Sequence, residues 1–455
     1  MSVDMELSEF TARTRFHDIP EDVLEFTKMI MMKTVAGMLY GSTVPSSKRF
    51  IRFSKTGKDE AGVIGCGFRT STEAAAFING VFAHAAELED DCFPTDEFPG
   101  TGATADITVF PVIFPLADAL KLSGEEILEA SVLACEVMNR VGHHGLGVNG
   151  KVIEGLGFTS LPFYGVIGSA VATVKALNLG PEQIRNALGL AIGTSSGLIV
   201  NFGTDAHYYE SAIAGYNGVM AAYLAKEGCT GNPDIEKWLS SLVGAEKGEV
   251  SKMSSGLGER WYTKHFWIKK YPVCFLMHRH LDIIGRLIRE GKVKHEQVEW
   301  IETEVGPVDA TVDRPEPKDL EDAKFSIQHV ISCLLLDAEV GEATISWRKI
   351  EGEKYKEFRK RVRVKVHPEW PKTFMSGVGR VTILLKDGQK ITEEVDQVIG
   401  GPKYPLSTED FVKLYERFAG AALNKAQIAR SVEILLNIEK QRDLKELFDI
   451  IVFRK

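Results

Sequence analysis

The sequence predicts a mainly α protein, in which a large all-α helical domain (1–268 plus 404–455) is interrupted by a smaller α+β domain (269–403). Three observations predict it. Up to residue 268, apolar residues recur at helical spacing between Gly and Pro stops, and no βαβ alternation appears. From 269 the pattern changes to period-two alternation, in VEWIETEVGPVDATV (298–312), RVRVKVHP (361–368) and GRVTILLKDGQKITEEV (379–395). After GGPKYPLSTED the helical pattern returns, over 408–420, 424–436 and 441–453.

Each element has its own local reason. HDIPEDVLEFTKMIMMKTVAGMLYGS (17–42) reads as one helix: Pro20 suits a first turn, Glu21 and Asp22 suit its positive end, and Leu24, Met29, Met32, Val35 and Leu39 share a face. TEAAAFINGVFAHAAEL (72–88) is a second helix, so rich in alanine that a neighbour can approach closely. Ser123-Gly124-Glu125-Glu126 has the form of a helix N-cap with acids behind it. Helices over 162–177 and 181–192 are split at NLGPEQI, where Gly180 stops one and Pro181 starts the next. Another covers 208–227 and ends at Gly228. Within the α+β domain, helices cover 278–290 and 326–337, and Asp387-Gly388 reads as a hairpin turn. A cleft between two such domains is the default place for a ligand.

The 455 residues carry a net charge of −9, which disfavours nucleic acid or an anionic membrane as partner, since both attract basic patches. No apolar run reaches membrane-spanning length, and MSVDMELSEF lacks the basic-then-apolar pattern of a signal peptide. Six cysteines (Cys66, Cys92, Cys135, Cys229, Cys274 and Cys333) are scattered without zinc or redox spacing. The expectation is a reduced, cytoplasmic protein that acts on a small molecule and has no cofactor and no metal.

Two motif matches fail on context. GLGVNG (145–150) fits G-x-G-x-x-G but follows a helical stretch where dinucleotide binding needs a strand. GTSSG (193–197) fits G-x-S-x-G around Ser195, but PEQIRNALGLAI leads in as a helix, not as the buried strand of a nucleophile elbow. His143 and His144 end a helix, where a protonated imidazole complements the negative helix end, and as a metal pair they lack a nearby third ligand. More informative is AHAAELEDDCFPTDEF (83–98), with six carboxylates in sixteen residues after a histidine. Helical spacing would put His84, Glu87 and Asp91 on one face with Asp90 beside them. The stretch reads as a solvated acidic loop, as the acid/base end of an active site, or as oxygen ligands for magnesium or calcium. A calcium loop's glycine turn and ligand spacing are missing.

Several stretches together resemble the MmgE/PrpD family: RFHDIPEDVLEFTKMIMMKTVAGMLYGS, AAAFINGVFAHAAELEDD, LGPEQIRNALGLAIGTSSGL, FGTDAHYYESAIAGYNGVMAAYLAKEGCTG, YPVCFLMHRHLD and DAKFSIQHVISCLLLD. They keep the family order over nearly the whole chain. The resemblance implies a helical domain interrupted by a lid domain, a homodimer, and no redox cofactor. It implies a lyase or an isomerase that removes a proton next to a carboxylate or carbonyl. The carbanion-like species then loses a leaving group or carbon dioxide, or is reprotonated, which needs a base, an acid and donors for developing charge.

Carried over by position, the family's H-x-x-D-x-D-D-T falls on His84, Glu87, Glu89, Asp90 and Asp91, with Asp91 in the threonine's place. Where the dehydratases and decarboxylases carry a T-H-P histidine, TDEFPG stands, with Glu97 or Phe98 at that place. The second histidine, in a G-F-H-P-like motif, falls on Thr159. The lysine of G-T-x-x-K falls on His207 of GTDAH, and the lid tyrosine falls near Thr311 of TVDRPEP. The lid motif itself is kept in Tyr271, Pro272, Cys274 and His278.

These matches set the candidates. His207 is the first choice for acid/base work, because histidine titrates near neutral pH; its plain alternative is to cap the helix from 208. Tyr208 is the candidate donor to an oxyanion. His278 is the second choice, with packing under the lid as its alternative. Asp90 and Asp91 are candidate bases, or orient His207; burial beside Glu87 and Glu89 would raise at least one carboxyl pKa. Glu87, Lys151, Thr159, Asp205 and Glu97 are candidate substrate contacts. So many acids would repel a tricarboxylate. The expected activity is therefore a cofactor-independent lyase or hydratase on a small carboxylate-bearing compound other than 2-methylcitrate or cis-aconitate. An epimerase on the same scaffold and a non-catalytic binding protein are the alternatives.

Overall fold

Helical spacing in the first half of the chain becomes nine α-helices among the described residues: α1 (Val3–Arg13), α2 (Glu21–Gly41), α3 (Thr72–Ala85), α4 (Asp106–Leu120), α5 (Gly124–His144), α6 (Ser160–Ala176), α7 (Pro181–Ile192), α8 (Asp205–Lys226) and α9 (Ile235–Val243). The structure, a computed structural model, describes residues 2–93, 106–144, 153–243 and 250–452. The chain divides into two compact units. The first is Met1–Ile199, Ala206–Phe266 and Ser407–Lys455; the second is Val200–Asp205 and Trp267–Leu406. The fold is mainly α. No described helix is long and apolar enough to cross a membrane.

In the first unit α2 is buried almost all round from Thr27 to Leu39, which explains its unbroken apolar run. It packs on α3, and α4, α5 and α6 pack beside them. α4 tolerates Pro111 and Pro115 in its interior. Each removes an N–H from the ladder, and apolar burial of nearly every residue of the helix offsets that loss. Glycines let helices approach closely where the site forms. A Cβ on Gly80 of α3 would meet the Ala212 Cα of α8 at 3.1 Å, and one on Gly218 of α8 would meet the Ser169 Cβ of α6 at 2.4 Å. The helices Thr408–Ala419, Lys425–Leu436 and Lys445–Val452 complete this unit. Ser407 and Asn424 cap the first two by accepting from the N–H groups of Asp410 and Gln427.

The second unit is built on a four-stranded sheet of order β4-β3-β5-β6, from β3 (Val298–Val305), β4 (Val362–Val366), β5 (Gly379–Leu385) and β6 (Lys390–Val395). β3 and β4 run parallel, with Ile301 opposite Val362; β3–β5 and β5–β6 are antiparallel. Gly388, at φ 90°, takes the left-handed position that the β5–β6 turn requires. The helices His278–Arg289 and Ile327–Asp337 lie in this unit.

Several boundaries differ from the sequence reading. The helix expected over 17–42 begins at Glu21, after extended Pro20, and Phe16–Asp18 forms a separate 3-10 turn. The strand expected over 298–312 ends at Val305, and Asp309–Val312 is a 3-10 turn. The last helix begins at Lys445. α1, α9, Trp347–Ile350, Glu353–Arg359 and the two-residue strands β1 (Ala61–Gly62) and β2 (Arg69–Thr70) were not anticipated. Most are short or polar-rich, and tertiary packing decides such segments. Two differences bear on function: the helix over 72–88 stops at Ala85, and the helix expected from 208 begins at Asp205.

Candidate functional site

As far as Phe93, where the described residues stop, the acidic stretch is no solvated loop. Glu87, Glu89, Asp90 and Asp91 are all buried. Nor does helical spacing organise them, because α3 ends at Ala85 and the chain turns sharply. Ala86 N donates to Phe82 O and Glu87 N to His84 O, and Glu87 then takes φ 52°. That left-handed position at a helix end is usually glycine's. A buried residue with a Cβ held there is a local cost tolerated by its surroundings.

The turn carries the stretch toward α8. His84 in the last turn of α3 meets His207 and Tyr208 in the first turn of α8, where ring centroids lie 4.0 Å and 5.7 Å away. The close approach at Gly80, one turn earlier, permits this meeting. The Nδ1 of His84 is hydrogen-bonded to Ser211 Oγ, and that oxygen lies 3.4 Å from both His207 O and Tyr208 O. The Ser211 hydroxyl can accept from His84 Nδ1–H or donate to the bare nitrogen, according to the tautomer of the ring. His84, Glu87 and His207 are all buried, and one ligand-competent atom of each lies within 4.8 Å of those of the other two.

Behind this group lies a buried ion pair. Lys33 of α2 donates to the Asp90 carboxylate and to Leu88 O. Asp106, the first residue of α4, accepts from Asp90 N at 3.1 Å and lies 3.5 Å from Thr34 Oγ1. Burial, and then the neighbouring Asp90 charge, push the Asp106 carboxyl well above the usual carboxylate range, with Lys33 acting in the opposite direction. Asp106, a group whose pKa this crowding raises, was not named by sequence reasoning. Lys33 was missed too. Its signal is a lysine in the middle of the apolar run MIMMKTVAGM.

The remaining described candidates have contacts of their own. Asp91 accepts from the backbone N–H of its neighbour Cys92 at 2.8 Å. Thr159 is buried just before α6, with its N–H donating to Gly197 O. Asp205 is the first residue of α8, where its charge favours the helix N-terminus. Because α8 begins there, His207 lies inside the first turn and is not a cap. His278 belongs to the second unit and starts its helix; it is stacked on Phe275 at 4.8 Å, edge-on to Tyr271, and 3.2 Å from Val273 O. Glu97 and Lys151, and with them GLGVNG, lie outside the described residues. Ser195 follows the helix α7, with no strand leading into it. His143 and His144 lie 4.4 Å apart, ring to ring, both against Tyr262.

Two imidazoles, a phenol and several carboxylates buried among packed helices define a helical protein whose site suits proton transfer. The chain belongs to the MmgE/PrpD family: the model of that family's N-terminal domain matches residues 5–238 and that of its C-terminal domain residues 271–440. It is similar to the cis-aconitate decarboxylase of Aspergillus terreus, 24% identical over 99% of this chain and 96% of that one. It is also similar to the cis-aconitate decarboxylases of Mus musculus, 28% identical over 83% of this chain and 78% of that one, and of Homo sapiens, 24% identical over 94% and 90%. These relatives are by name carboxy-lyases. At such identities they support lyase-type chemistry at the level of the family and no particular substrate.

Proposed function

We propose that the protein is a lyase working without a redox cofactor, which removes a proton next to a carboxylate or carbonyl of a small carboxylate-bearing substrate. The observation that carries this is the contact of His84 and His207, buried together beside Tyr208 and Glu87. An imidazole can take the proton, a phenol can donate to the developing oxyanion, and a water-poor setting strengthens both interactions. Asp106, whose carboxyl burial and Asp90 push well above the usual range, is a second candidate acid next to Asp90. Asp90 and Asp91 are the candidate carboxylate bases on this reading, His278 is a second candidate for acid/base work, and Asp205, Thr159, Lys151 and Glu97 are substrate contacts. The acids favour a substrate with fewer carboxylates than 2-methylcitrate or cis-aconitate. A homodimer is part of the same reading, with the apolar residues Tyr209 and Leu224 exposed on α8 as support.

The test is incubation in D2O with a panel of small di- and tricarboxylates and amino dicarboxylates, cis-aconitate among them, followed by NMR and carbon dioxide release. Elimination or decarboxylation of one member supports the lyase. Deuterium entry at a substrate α-carbon without net loss replaces it with an epimerase. Neither exchange nor turnover across the panel, with binding retained, overturns the catalytic reading in favour of a binding protein.

A further inference from the structure

We infer that His84, Glu87 and His207 form a binding site for a divalent transition-metal ion of the zinc type. Sequence spacing does not suggest it, because the ligands come from the end of α3, the turn after it and the start of α8. Tertiary structure brings one ligand-competent atom of each within 4.8 Å of the others, all of them buried. Two imidazoles and one carboxylate are a zinc ligand set that keeps a fourth position open. Imidazole donors also select against magnesium and calcium, which take oxygen. Tetrahedral bonds of ~2.1 Å set ligand atoms ~3.4 Å apart, so the site closes on an ion by side-chain adjustments of about 1 Å.

Two further features fit a built site. The Ser211 hydroxyl is hydrogen-bonded to Nδ1 of His84, which fixes the ring plane, and Nε2 is the ligand atom on this proposal. Metal-binding histidines have such an outer partner on the second nitrogen. The left-handed Glu87, at φ 52°, holds a carboxylate where the turn by itself favours glycine. A backbone cost kept for one side chain is a common mark of a functional position. On the acid/base reading of His207, a bound ion occupies the nitrogen that proton transfer needs, so it inhibits turnover. That consequence rests on the proposed function; the binding does not.

The experiment is a titration of the chelator-treated, full-length protein with Zn²⁺ by calorimetry and with Co²⁺ by visible absorption, without substrate. The expected result is one ion per chain with tetrahedral Co²⁺ bands. Affinity should fall on the order of 100-fold or more in Glu87→Gln and His84→Ala, and about 10–100-fold in Ser211→Ala, which touches no ion. Glu87→Gln keeps the buried shape and serves if the histidine variant does not fold. No stoichiometric binding, or affinity unchanged in Glu87→Gln, overturns the site. Because binding is read without turnover, this result is independent of whether any carboxylate proves to be a substrate.

Discussion

The His84 and His207 rings lie 4.0 Å apart, centroid to centroid, and are inclined at 59°. One imidazole closes α3 and the other opens α8, 123 positions later. Their contact places a proton acceptor and an oriented neighbour in one buried spot. Replacing His207 with Gln keeps volume and polarity but removes the titrating group. It should lower kcat on the true substrate by about 10²–10⁴-fold, with the circular-dichroism spectrum unchanged. Full activity in this variant would remove His207 from the chemistry.

Lys33 and Asp90 are a fully buried pair. Lys33→Met strands a carboxylate among apolar helices and should cost about 3–5 kcal/mol in urea denaturation. The double variant with Asp90→Asn should recover much of that loss, since neither charge remains. Equal loss in the single and double variants would mean that Lys33 matters by its shape alone.

Glu87→Gly relieves a left-handed backbone position, which costs a residue with a side chain about 1 kcal/mol. It also removes the carboxylate facing the two histidines. The expected variant melts no lower than the parent but has lost the site's function. A clear drop in Tm would show that the buried side chain stabilises the turn.

Asp309, in the second unit, is pushed up to about 7 by burial, against the opposing influence of Arg279. Unfolded, it titrates near 3.8. Between these values the folded chain keeps a proton that the unfolded chain releases. The stabilisation is therefore complete below the lower value and is lost as pH rises toward 7, by on the order of 4 kcal/mol. Asp309→Asn mimics the neutral form and can still accept from Met375 N. Its Tm should stay level between pH 5 and pH 8 where that of the parent declines.

Light scattering tests the dimer. The reading expects twice the chain mass of 50.3 kDa, and a single-chain mass would sink it.

Periodicity by itself determined the helical body, the change to strands near residue 298 and the return to helices near 408, because a buried stripe must repeat at the period of its element. It also marked the stretch after His84 as the place to look. It misjudged how that stretch is arranged. Helical spacing grouped His84, Glu87 and Asp91, whereas the helix stops at Ala85 and a left-handed turn redirects the chain. What joins His84 to His207, and Lys33 to Asp90, is the packing of α3 on α8 and on α2, which no local pattern encodes. The Asp106 carboxyl is pushed upward because a dry surrounding and then Asp90 lie against it. Only the tertiary structure decides such groups, since a pKa and a ligand set depend on neighbours distant in sequence and on the exclusion of water.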